Sequence, residues 1–359
     1  MKFGNDSSVT IRNDGENNGV ELGVNHGSVV IQYGLGYNDT KELCHDIVRD
    51  EIAKYHAEAL VEAQKRNDEL FGRVVQKLEQ KNMDDAQTLA EFRNPAMQFD
   101  YLEAQKAYIK AGTQELSELL SDILVKRISE SSRNLLQIAL GEAIQVAPKL
   151  IPSQMASLAL AFVVKHTRRI SVNSHATLTA FLKDTIIPIF HSGVSQKDSE
   201  FQHLSFTGCS QQSVLSNNMI EYFKGSYAGL FMRGISQSDI PKDENDNYLN
   251  NVYPDLFIRC LNNAEMFQIN AINEDALSQK IESGHKYNDI LMKLFNENIM
   301  SDEDAQKLVE DLLPEMKDIF AYWNNSEIKS CILSSVGIVI GAAYAHQVTG
   351  QDFELHIWI

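Results

Sequence analysis

Cysteine is scarce in this chain: Cys44, Cys209, Cys260 and Cys331 are scattered singly through 359 residues. None belongs to a CxxC pair or to a Cys/His spacing that would hold zinc, so neither a disulfide framework nor a metal site is indicated. Basic charge is short as well, with 32 Lys+Arg against 49 Asp+Glu and a net charge of −17. That balance offers no broad cationic footprint for nucleic acid or for an anionic membrane. The signatures of common chemistry are missing too. There is no P-loop, no GxGxxG after a strand, no HExxH and no GxSxG. Residues 1–6 are polar and lack the apolar core of a signal peptide. These absences set the expectation of a reducing, cytoplasmic setting, with no catalytic residue, metal or cofactor assigned.

What is present begins with a repeat. An Asn/Gly/Ser corner followed by a short apolar alternation occurs at 5–11, 17–22 and 25–31. Side chains of a strand alternate between its two faces, so Val9 with Ile11, Val20 with Leu22 and Val29 with Ile31 each share a face. Asp14-Gly15, Asn18-Gly19 and His26-Gly27 lie between the copies and tolerate the positive φ of tight turns. Three short strands are expected. Pieces this small are marginal in water. They must cover their apolar stripe against the rest of the chain or against other copies of themselves. Repeat units that cannot bury a face alone stack, which favours residues 1–37 as an oligomerisation tag. Three copies around a threefold axis would enclose Val9, Ile11, Val20, Leu22, Val29 and Ile31, so a homotrimer is the expected assembly.

The rest reads as helix. Asp39 and Glu42 form a capping-box-like start, and apolar residues then recur at helical spacing to about residue 82. Further helices are expected after Asp84, at 99–111 with Gly112 as C-cap, and in apolar stripes over 116–128, 135–146 and 155–164. A helix from Ser174 is expected to stop at Pro188. This succession predicts a mainly α fold with a helical-bundle body. Residues 191–218 turn to Ser, Gln and Gly and read as a linker with a strand hint at Leu204 and Phe206, dividing a helical domain at 38–193 from another at 194–359. Asp243, Asn245 and Asn247 have the spacing of calcium-loop ligands, but Tyr248 and Pro254 stand where glycine and the bidentate acid are needed, so the loop reads as solvated.

Two segments allow alternatives. The basic cluster at 165–169 is read either as cations at a helix C-terminus or as an anion contact through Lys165, Arg168 and Arg169. Residues 330–348 contain no Asp, Glu, Lys or Arg and carry Gly337-x-x-x-Gly341. A buried central helix followed by a terminal strand over 353–358 is the preferred reading, and a membrane-acting helix is the alternative.

The 5–33 repeats, the turn into Leu35-Gly36-Tyr37-Asn38-Asp39, and the ending Ser335-Val336-Gly337-Ile338 … Leu355-His356-Ile357-Trp358-Ile359 resemble an uncharacterised bacterial family met near anti-phage and other conflict genes. The resemblance is closer at the two ends than between them. It implies an antiviral setting and carries no catalytic residues. Together with the tag it leads to the expectation of a self-assembling defence protein, a sensor or scaffold that contacts its own copies and a protein partner or phage component. A membrane effector and an enzyme with an unrecognised site are the alternatives.

Overall fold

The computed structural model describes residues 20–25, 28–33, 37–81, 90–281 and 286–359, with side chains from residue 56 onward. The chain forms two compact units, 1–66 and 67–359.

The first unit holds a hairpin and the opening of a long helix. Strands β1 (Val20–Asn25) and β2 (Ser28–Tyr33) pair antiparallel, with Val20 opposite Tyr33, Leu22 opposite Ile31 and Val24 opposite Val29. The first repeat copy, with Val9 and Ile11, lies outside the described residues, as does the expected start of a helix after Asp84. Helix α1 (Tyr37–Gln80) runs 44 residues without interruption, and the unit boundary falls inside it.

The second unit is mainly α. On α1, Leu70, Val74 and Leu78 recur every four residues and are buried. Helix α2 (Pro95–Ala111) starts on an Asn94 cap whose Oδ1 accepts the Ala96 N–H at 3.0 Å, and ends at Gly112 in the left-handed region. Then follow α3 (Gln114–Ser129), α4 (Leu135–Val146) and α5 (Pro152–His166). Helix α6 (His175–Phe181) does not stop at Pro188 as expected. It passes through a π turn at Leu182–Ile186 and continues as α7 (Ile187–His191). The reason is local. Pro188 can donate no hydrogen bond and would crowd the carbonyl four residues back, and a π turn widens the helix at that point.

The expected linker at 191–218 is structured. Helix α8 (Asp198–Phe206) buries Phe201 and Leu204, and strand β3 (Ser210–Gln212) pairs with β6 (Cys331–Leu333). Trp323 fastens the segment by donating its indole N–H to the Asn217 carbonyl at 3.0 Å. One core runs from Leu70 to Leu355 and takes in Ile189, Val194 and Phe201. A separate small core occupies 228–299, built around Met232, Leu249, Phe257, Ile269, Leu291 and Phe295. It follows α9 (Met219–Tyr227) and contains α10 (Leu249–Val252), the hairpin of β4 (Phe257–Arg259) with β5 (Phe267–Ile269), α11 (Glu274–Lys280) and α12 (Asn288–Glu297). In its exposed loop the Asp243 carboxylate accepts the backbone N–H groups of Asn245 and Asn247, closing a local turn.

Helices α13 (Asp302–Leu312) and α14 (Met316–Asn325) return to the main core. Helix α15 (Ser335–Thr349) is its centre, with residues 336–345 all buried. The two glycines explain how. A Cβ on Gly337 would stand 2.0 Å from the Cys209 carbonyl oxygen, and one on Gly341 would stand 2.7 Å from that of Leu158 on α5. Their spacing lets α15 approach neighbouring backbone closely. Gly350 ends the helix at φ 70°. Among the described residues no helix is long and apolar enough to cross a membrane. The expected terminal strand is replaced by a single 3₁₀ turn at Leu355–Ile357. Its alternation does not match burial: Leu355 is buried but Ile357 is exposed, while Phe353 and Trp358 turn onto Phe162 of α5.

Candidate functional site

The residues singled out in the sequence go to different places. In the hairpin, Leu22 and Ile31 are direct cross-strand partners, while Val20 and Val29 pair with Tyr33 and Val24. The basic cluster does not converge. Lys165 turns inward and donates to the carbonyls of Ile328, Lys329 and Cys331 at 2.8, 3.0 and 2.6 Å, with its ammonium 5.2 Å from the Trp323 ring centroid. Burial lowers its pKa to about 8, with the Cys331 thiol opposing that shift. Arg168 is half-exposed and stands 3.9 Å from Asp275. Arg169 donates its backbone N–H to the Tyr227 hydroxyl at 2.7 Å. Lys165 is thus a cap on the turn before β6, with its donors taken by the protein.

The densest polar constellation was not singled out in the sequence. It lies along α3, where Glu118, Asp122 and Lys126 share one face and Glu130, the C-cap residue, continues their spacing of four. Arg73 and Lys77 on α1, with Lys81 just past its end, have the same spacing and run alongside. Arg73 meets Glu118 at 3.2 Å, and Lys77 meets Asp122. The third step is bridged by Asp352, which sits 3.0 Å from both Lys81 and Lys126. His346 Nδ1 lies 3.1 Å from the second oxygen of Asp122, and His356 Nε2 lies 3.1 Å from Glu130. Asp122 and Lys126 of α3 and the cap residue Glu130 therefore hold three positions of the segment 346–356.

The electrostatics follow from burial and pairing. Burial pushes the Asp122 carboxyl up, but hydrogen bonds from His346 and Lys77 outweigh it and leave the pKa lowered. Asp352 is also lowered; its partial burial is outweighed by Lys126 and Lys81. On another face of α3, the fully buried Arg127 binds Glu91 at 3.0 Å and Asp100 at 2.9 Å. Burial nonetheless raises the Asp100 pKa, against the pull of Arg127.

A cavity of about 220 Å³ opens beside this constellation, between Lys81, Lys126, Glu130, Leu136, Leu140 and His356. Asp352 engages both ammonium groups and Glu130 meets His356, so the side chains around the cavity hold the segment 352–356 in place. Among the described residues no group of three or more His, Cys, Asp or Glu converges as a metal site. The i+4 spacing on α1 and α3 was the available signal. The partners Asp352 and His356 had none, since they lie more than two hundred residues away in sequence.

A second surface is apolar. Phe71, Phe92, Pro95, Phe99, Tyr101 and Leu102 line a groove of about 520 Å³ between α1 and α2. On α1 itself no side chain from residue 56 to 69 is buried, and Leu60 and Val61 are 65 % and 72 % exposed.

A protein-family model whose description reads only ":-like" matches residues 34–359, and the chain belongs to that family. The description assigns no reaction and no ligand. No curated protein and no solved structure matches the chain.

Proposed function

We propose that this member of the family is a self-assembling scaffold or sensor, joined to its own copies through the hairpin and the first part of α1. The observation that carries the reading is the run of residues 56–69 on α1 without a buried side chain, with Leu60 and Val61 open to solvent. Long helices in water owe most of their stability to tertiary packing of an apolar face. A two-stranded hairpin is marginal in water for the same reason. Both shortages end when several copies come together, each supplying the surface the others lack. A threefold arrangement suits the three repeats. The resemblance of both chain ends to a family met near anti-phage genes gives the assembly a defensive setting, in which the helical body contacts a protein partner or phage component.

Native mass measurement tests the reading. The full chain is expected to run as an oligomer, with a trimer as the favoured state. Deleting residues 1–36, or combining Leu60→Asp with Val61→Asp, is expected to give smaller particles with the helical circular dichroism retained. A full chain that is monomeric at micromolar concentration defeats the proposal. A dimer or tetramer rejects only the threefold arrangement.

A further inference from the structure

The apolar groove between α1 and α2 is a built surface. On α2, Pro95, Gln98, Phe99 and Leu102 follow at i, i+3, i+4 and i+7 and share one face. That face turns away from the core, which takes Met97, Ala104 and Tyr108 of the same helix. Phe99 is 67 % exposed, and Phe71 on α1 is 52 % exposed. The walls are fixed by polar contacts. Gln105 donates to Asn67 of α1, Gln98 donates to the Phe92 carbonyl at 2.9 Å, and the Phe92 ring meets Tyr101 edge-on at 6.0 Å between centroids. Among the described residues no charged side chain lines this cavity of about 520 Å³.

A surface of matching chemistry lies earlier on α1. Residues 57–63 read Ala-Glu-Ala-Leu-Val-Glu-Ala, and Ala57, Leu60 and Val61 are exposed at i, i+3 and i+4 on one face. Leucine and valine flanked by alanines form a narrow ridge, which is how an amphipathic helix enters an apolar groove. Charge agrees with shape. Glu58 on the ridge and Arg93, beside Phe92 of the groove, are both exposed, and neither has an ion pair among the described residues. Residues 57–63 and Phe71 belong to one uninterrupted helix, so a chain cannot fold its own ridge back into its own groove. A second copy can supply it. We infer that the groove between α1 and α2 receives residues 57–63 of another copy, so that copies join head to tail. This rests on the assembly proposed above and names the surface on which the exposed stretch of α1 lands. A head-to-tail contact of this kind closes into a ring when its rotation permits, which is the form a threefold arrangement requires.

The test is trans-complementation between two full-length variants, read by native mass measurement. The ridge variant carries Leu60→Asp with Val61→Asp, and the groove variant carries Phe99→Asp with Leu102→Asp. All four positions are exposed, so helical circular dichroism and cooperative unfolding are expected to persist. Each variant alone is expected to associate at least about tenfold more weakly than wild type. In a mixture the first still offers a groove and the second still offers a ridge, so a particle containing both chains is expected. A second readout leaves the apolar side chains untouched. Arg93→Glu and Glu58→Arg are each expected to weaken association, and the two together in one chain are expected to restore it. A mixture no heavier than its components, with an oligomeric wild type, overturns the head-to-tail contact and leaves the assembly reading standing. A charge-swapped chain that associates no better than the single variants overturns it as well. A monomeric wild type overturns both readings.

Discussion

Two stretches of one helix make the most instructive contrast in this protein. From residue 56 to 69, α1 has no fully buried side chain; from Leu70 onward it buries Leu70, Val74 and Leu78 at successive turns. Leu60 and Val61 are as apolar as Leu70 and Val74, and the helix is continuous through both stretches. Composition and period already separate them: residues 64–69 are all polar, whereas Leu70, Val74 and Leu78 recur every four residues. The later stretch has a matching surface opposite, with its cations at 73 and 77 facing the acids of α3 at 118 and 122, and the contact opens with Asn67 and Glu69, which bond Gln105 and Tyr108 of α2. An amphipathic period therefore says that a face is to be covered, and leaves open what covers it.

The contrast can be broken or sharpened by substitution. The largest effect is expected inside the body. Arg127→Met strips the buried Glu91 and the half-buried Asp100 of their partner and should cost about 3–5 kcal/mol in urea unfolding. Leu70→Ala comes next, at roughly 2–5 kcal/mol, because it empties a fully packed site. A smaller effect belongs to the charged seam. Lys77→Met removes a donor from Asp122 and should cost about 1–3 kcal/mol.

The seam also predicts a pH dependence. The folded-state pKa of Asp122 is depressed, so its contribution is present above the ordinary carboxylate value of 3.8 and is lost as pH falls through the folded value. Asp122→Asn should remove that acid-side loss, as followed by thermal unfolding between pH 5 and 2. Smallest of all, Leu60→Ala should change body stability by no more than about 0.5 kcal/mol, while lowering the native mass if copies meet there. Should Leu60→Ala destabilise the protein as much as Leu70→Ala, the two stretches are alike and the comparison fails.

Local signals were read well where a few neighbouring residues decide the outcome. Gly112, expected as a C-cap, ends its helix in the left-handed region, and the helical stripes at 116–128, 135–146 and 155–164 fall within α3, α4 and α5. The failures also have local causes. Pro188 suggests a stop, but the chain passes it within helix, after a π turn at Leu182–Ile186 in which the Ile187 N–H reaches back to the Leu182 carbonyl. The Ser/Gln-rich stretch at 191–218 hid α8, because only Phe201 and Leu204 of that short helix need be apolar to bury one face. The alternation at 353–358 looked like a strand, yet a strand requires a partner edge, and Phe353 and Trp358 found the Phe162 ring instead.

The sequence by itself determined the mainly helical class and several helix ends, and its glycine spacing allowed the close approach of α15, since caps, period and glycine spacing act over one or two turns of chain. Tertiary structure alone decided the rest. It turned Lys165 inward to carbonyls some 163 residues away and set His346 on Asp122 across 224 residues. It also gave 228–299 a core of its own and laid 350–359 across α3. Contacts between groups so distant in the chain depend on which faces meet when the helices pack. That choice is made by the summed fit of many side chains, so no short stretch of sequence records it.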